Sequence, residues 1–120
     1  NVDSGVFTAI ERAAEAALAL PRERIEEQVD VYRRRRDILV DGLWDAGWQV
    51  PRPHATFYIW AKVPTEESSQ AFASRVLREA HVVVTPGVGF GPSGEGYVRM
   101  ALTAPEERVA EAAARIAKVL

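Results

Sequence analysis

Apolar positions along this chain follow helical and strand rhythms in turn. Phe7, Ile10, Ala14, Ala17 and Leu18 recur at helical spacing, with Asp3 or Ser4 placed to cap the start and Pro21 closing the segment. A longer helix is predicted from about Arg22 to Ala46. Ile25, Val29, Tyr32, Arg36, Leu39, Leu43 and Ala46 form one stripe, which Ile38, Val40 and Trp44 widen. Gly47 stands where a left-handed C-terminal cap is expected. After a turn over Trp48 to Pro53, the stretch from Ala55 to Val63 reads as a strand. Phe57, Ile59 and Ala61 alternate there with Thr56, Tyr58 and Trp60, so both faces are bulky and both are expected to be covered.

Thr65 is expected to cap a third helix running from Glu66 to about Ala80, with Phe72, Val76 and Leu77 turned inward. Val82, Val83 and Val84 then predict a β-branched strand core over His81 to Thr85. Tyr97 to Leu102 reads as a further strand, with Val98, Met100 and Leu102 on one side and Tyr97, Arg99 and Ala101 on the other. Thr103 and Glu106 have capping-box spacing around Pro105, and the last helix is predicted to bury Val109, Ala112, Ala113, Ile116 and Leu120. The fold class is therefore α/β (α+β): a small three-stranded mixed or antiparallel sheet with helices packed on one face, preceded by a long helix.

Between the last two strands lies a glycine-rich loop. Five of the eight glycines fall from Gly87 to Gly96, a density that lets another backbone or a ligand come close. Arg99 sits at the centre of the strand that follows. An arginine in mid-strand between apolar neighbours is an edge residue in water, the partner of a local acid, or a charge held for an anion. Its planar fork suits a carboxylate or phosphate bidentately.

Composition narrows the chemistry. With 120 residues the chain fits one domain, and 48% apolar and 27% charged residues are ordinary for a globular protein. A net charge of −2 gives no argument for nucleic acid or for an anionic membrane surface as partner. The run Arg33 to Arg36 points in four directions on a helix with Glu26, Glu27, Asp30 and Asp37 near, so it reads as a solvated, salt-bridged surface. Without cysteine there is no thiol chemistry. No apolar run approaches the ~20 residues of a membrane span, which leaves the cytoplasm as the default expectation. His54 and His81 lack metal-ligand spacing, so no metal is expected. No Gly-x-Ser-x-Gly elbow or phosphate-gripping loop is present, and Lys62 and Lys118 both read as surface lysines. No catalytic residue is assigned within these 120 positions. The chain also starts on Asn1 directly before a helix, and is expected to be a piece of something longer.

Four stretches carry a resemblance: Asn1-Val2-Asp3-Ser4-Gly5, Ala55-Thr56-Phe57-Tyr58-Ile59-Trp60, Val83-Val84-Thr85-Pro86-Gly87-Val88-Gly89-Phe90-Gly91, and Gly96-Tyr97-Val98-Arg99-Met100-Ala101-Leu102. In this order they resemble the class I/II aminotransferases, pyridoxal-phosphate enzymes of the aspartate aminotransferase superfamily, fold type I. They look most like diaminopimelate- or aspartate-type bacterial members. The resemblance implies that Arg99 forks onto the α-carboxylate of the substrate and that Phe57 and Tyr58 line the site entrance. Pro86, Gly87 and Phe90 correspond to the loop beside that arginine, and Asn1 to a segment near the site. It also implies an interface helix over residues 1–21 leading from a large domain, and a C-terminal small domain over 22–120. Amino-acid and 2-oxo-acid substrates, a homodimer, and pyridoxal 5′-phosphate bound mainly by the large domain follow from the same likeness. The Schiff-base lysine and the phosphate-cup residues of the family have no counterpart here, so the fragment alone is expected to be inactive. Two alternatives stay open: a free-standing binding or dimerisation module of the same fold, and a fold-type-I lyase or synthase.

Overall fold

A computed structural model describes residues 5–120. The expected caps Asp3 and Ser4, and the candidate Asn1, lie outside the described residues. The chain divides into two units, one ending at Val31 and the other running from Tyr32 to Leu120. In the first, helix α1 (Thr8–Leu18) is followed by Ala19 and Leu20, whose N–H groups return to the carbonyls of Ala16 and Ala17 before Pro21. No residue of α1 is buried. Phe7, Ile10 and Leu18, the apolar face that its periodicity predicts, are all exposed.

Helix α2 (Arg22–Asp45) crosses from one unit to the other. Its apolar stripe changes character along its length: Ile25 and Val29 are exposed, whereas Leu39, Val40 and Leu43 are buried. Gly47 ends the helix as the sequence predicts, with φ +88° and its N–H on the Trp44 carbonyl.

The second unit is built on a sheet of β1 (Tyr58–Lys62), β2 (Thr85–Pro86) and β3 (Tyr97–Ala101), in spatial order β1-β3-β2 with both pairings antiparallel. Ile59, Ala61, Val98 and Met100 face inward. They join the buried residues of α2, of α3 (Ser69–Arg75) and of α4 (Glu106–Ile116) in one core, with Phe72 and Ile116 among the fully enclosed side chains. Trp48 closes one end: its ring meets Phe72 edge-on at 5.3 Å and its indole N–H donates to the Lys62 carbonyl at 2.8 Å. Gly42 lets α2 approach α4, since a Cβ there would stand 2.9 Å from the Cβ of Ala113.

Several details differ from the sequence reading, each for a local reason. The third helix begins three residues later than expected, because Ser68 rather than Thr65 caps it; the Ser68 hydroxyl accepts from the Ala71 N–H at 3.2 Å. Thr65 instead donates to Glu67. The helix then widens into a π-type turn (Val76–Ala80) that ends on His81 at φ 55°, and this rotation leaves Leu77 exposed. Val82, Val83 and Val84 do not join the sheet: only Thr85 and Pro86 pair with β3, and Val83 is 78% exposed. The Thr103–Glu106 capping box does not form; Glu106 accepts from Arg34 at 2.8 Å instead. At the end of the chain Ala112 is only half-buried and Leu120 is exposed. The arginine run is not uniformly solvated either. Arg35 donates to the carbonyls of Leu102 and Thr103, and Arg36 to that of Pro53, so both fasten α2 to neighbouring segments.

Candidate functional site

One face of the sheet is closed and the other is open. Trp60 is 38% exposed and Phe57, beyond the start of β1, 39%, which corrects the expectation that the first strand is covered on both faces. Thr56 explains part of this. With φ +71° it leaves the extended conformation, so regular alternation starts only at Tyr58.

The open face carries Tyr58 and Trp60 from β1, Tyr97 and Arg99 from β3, and Thr85 from β2. The register sets Trp60 and Thr85 on either side of Arg99. The guanidinium of Arg99 contacts two rings: its Cζ is 4.1 Å from the Tyr58 ring centroid and 4.4 Å from that of Phe90. The half-buried Arg99 has no carboxylate partner among the described residues. The other half-buried arginines in this unit do have oxygen partners: Arg75 has Glu67 and the Val119 carbonyl, Arg52 has Asp37 and Asp41, Arg36 has Asp37, Arg115 has Glu111, and Arg35 has the carbonyls of Leu102 and Thr103. Cation–π contact holds the plane of a guanidinium without using its N–H donors. Those donors stay free for an anion.

Phe90 reaches Arg99 from the glycine-rich loop. Two 3₁₀ turns, Gly87–Phe90 and Pro92–Gly94, fold the loop back on itself. At its neck Gly87 and Gly94 touch backbone to backbone: a Cβ on Gly94 would stand 2.0 Å from the Gly87 carbonyl oxygen, and one on Gly87 2.1 Å from that of Gly94. Neither position has room for a side chain. Glu95 ties the loop to α3, its carboxylate accepting from the Ser69 N–H at 2.7 Å and the Ser69 hydroxyl at 3.0 Å. The Ser69 amide, above all, holds the Glu95 carboxyl below its ordinary range. The Arg75 guanidinium does the same for Glu67. At Asp37 desolvation pushes upward, but the hydrogen bonds and charges of Arg36 and Arg52 outweigh it and the net shift is down.

Of the residues singled out in the sequence, Arg99, Tyr58 and Phe90 are in direct contact. Phe57 lies against Tyr58 at 4.4 Å with its ring tilted by 42°, and Pro86 and Gly87 lead into the loop. Trp60 and Tyr97 join them, although the sequence pattern does not single them out. Their rings stack at 5.8 Å and 15°, and Trp60 meets Phe90 edge-on at 5.7 Å. The alternation that puts Tyr97 and Arg99 on one strand face, together with Tyr58 and Trp60 on another, was the available signal.

The described residues do not fit pyridoxal phosphate on their own. Lys62 is exposed at the end of β1 and Lys118 is exposed after α4, so neither is enclosed where a Schiff base would be shielded from water. The acid nearest the loop, Glu95, is engaged by Ser69. Among the described residues no group of three or more His, Asp or Glu is placed to hold a metal, and no described helix is long and apolar enough to cross a membrane.

Known proteins match this geometry and sequence closely. An LL-diaminopimelate aminotransferase of Desulforudis audaxviator is 50% identical over 116 residues, 97% of this chain and 30% of its own. One from Moorella thermoacetica is 49% identical over 120 residues, 100% of this chain and 31% of its own. The chain thus spans about 30% of the length of the curated relatives it matches. Among solved structures, substrate-bound BacF of Bacillus subtilis superposes with a TM-score of 0.86 at 37% identity, covering 96% of this chain and 30% of that one. The family model for aminotransferase class I and II matches residues 3–116. The chain belongs to the class I and II aminotransferase family.

Proposed function

We propose that this chain is the C-terminal small domain of a pyridoxal-phosphate-dependent aminotransferase, in which Arg99 anchors the carboxylate of an amino-acid or 2-oxo-acid substrate. The observation that carries the reading is the guanidinium itself. It is half-buried, it lies against the rings of Tyr58 and Phe90, and no carboxylate among the described residues occupies its donors. A carboxylate approaching the edge of the fork forms two parallel charge-assisted hydrogen bonds. Binding in that manner fixes the α-carbon relative to the rest of the site, a positioning contribution. The names of the relatives supply the substrate class: an amino acid of the diaminopimelate type, exchanged with a 2-oxo acid.

In this reading residues 1–21 form the interface helix and 22–120 the small domain, while pyridoxal phosphate is held mainly by a large domain. Phe57 and Tyr58 line the entrance, and Pro86, Gly87 and Phe90 form the loop beside the arginine. A homodimer acting in the cytoplasm belongs to the same proposal. The test is Arg99→Lys and Arg99→Ala in the full-length protein. KM for LL-diaminopimelate should rise roughly 10- to 100-fold, the loss expected when a charge-assisted pair of hydrogen bonds is removed. Unchanged kinetics would remove Arg99 from this role, and a wild-type protein without transamination would remove the activity.

A further inference from the structure

We infer that Trp60 is a positioning residue for the carboxylate fork, acting through the ring of Phe90; this rests on the role proposed for Arg99. An arginine side chain has many rotamers, and ordering one costs entropy that some contact must offset. No oxygen acceptor among the described residues fixes Arg99, and the rings of Tyr58 and Phe90 contact its guanidinium. Tyr58 is a strand residue and therefore has a fixed origin. Phe90 is different: it stands on the loop, 52% exposed, and needs its own support.

Trp60 supplies that support. Its ring meets Phe90 edge-on at 5.7 Å and 68°, while Tyr97 stacks against it almost parallel. Trp60 is also the direct cross-strand neighbour of Arg99, so the base of the support and the base of the arginine share one rung of the sheet. The result is an ordered row, Tyr97, Trp60, Phe90, Arg99 and Tyr58, in which each member touches the next. Edge-to-face and stacked rings prefer these separations and resist sliding. The indole thereby holds Phe90 against the guanidinium, which the Tyr58 ring contacts as well. Removing the indole frees Phe90, and Arg99 then spends less time in the orientation that receives a carboxylate. Apparent affinity falls in proportion to that population.

The experiment is a mutant cycle in the full-length holoenzyme, with KM and kcat measured for LL-diaminopimelate. Trp60→Leu should raise KM about five- to tenfold with kcat changed less than about twofold, as expected when only the competent fraction of the free site falls. Trp60→Phe should recover most of the loss, and Phe90→Leu should reproduce the effect. In an Arg99→Ala background Trp60→Leu should add nothing, because the residue it positions is gone. Additive losses, or a kcat that falls as much as KM rises, would show a general structural role and overturn the inference. Should Arg99→Ala raise KM while Trp60→Leu and Phe90→Leu leave it unchanged, this inference alone fails. An inert Arg99→Ala would take the carboxylate role down with it.

Discussion

On β1 and β3, Ile59, Ala61, Val98 and Met100 point to one side, and Tyr58, Trp60, Tyr97 and Arg99 point to the other. The inward side is held by burial: three helices cover it, and Ile59 and Val98 have no exposed surface. The outward side is held by rings packed on rings and on one cation, with every member partly accessible. The closed face provides stability and the open face provides a prearranged charge. Two adjacent positions on one strand, Val98 and Arg99, thus answer to different physical requirements.

This division can be broken from the closed side first. Phe72 is fully buried between Trp48 and the Arg75 guanidinium, and truncating it leaves a cavity the surrounding helices cannot fill. Phe72→Ala should cost about 3–5 kcal/mol in denaturant unfolding. A smaller effect comes from the tie between the faces. Glu95, Glu67 and Asp37 all titrate below their ordinary range in the folded protein. Depressed carboxyls contribute stability that is present above the unfolded pKa, about 4, and lost as pH falls through the folded value. Unfolding followed from pH 7 down to pH 3 should therefore show decreasing stability that sets in near pH 4 to 5 and continues below. Glu95→Gln should make that decline shallower, and an unchanged profile would deny Glu95 its part. The smallest change should come from the open face itself. Arg99→Leu removes a charge that has no carboxylate partner among the described residues, so stability should shift by no more than about 1 kcal/mol. A larger loss would mean that the arginine is part of the scaffold.

How far the sequence discloses this arrangement depends on the range of the interaction involved. The body of α2, its stop at Gly47, the inward Val109, Ala113 and Ile116 of α4 and the alternation of β3 follow from short-range periodicity and turn chemistry, and all are found. The start of α3 does not follow from the sequence because Thr65 and Ser68 are equally good caps in isolation; Arg75, which engages Glu67, and Glu95, which engages Ser69, belong to the tertiary context that distinguishes them. Similarly, Glu106 is taken by Arg34, 72 positions away. Arg99, Tyr58 and Phe90 could be singled out from the sequence, but the row linking Phe90 to Trp60 and Tyr97 depends on strand register and on how the loop folds back. Those are properties of the assembled sheet.

The contact between Gly87 and Gly94 carries one more consequence. A loop pinched shut at its neck isolates its tip from its stem. An extra residue placed between Val88 and Ser93 would bulge outward at the apex, while the antiparallel ladder beyond Gly96 kept its partners. Insertions at that apex should therefore displace Phe90 while Arg99 stays opposite Trp60, so evolution or an engineer could retune the mouth of the site and leave the strand beneath it untouched.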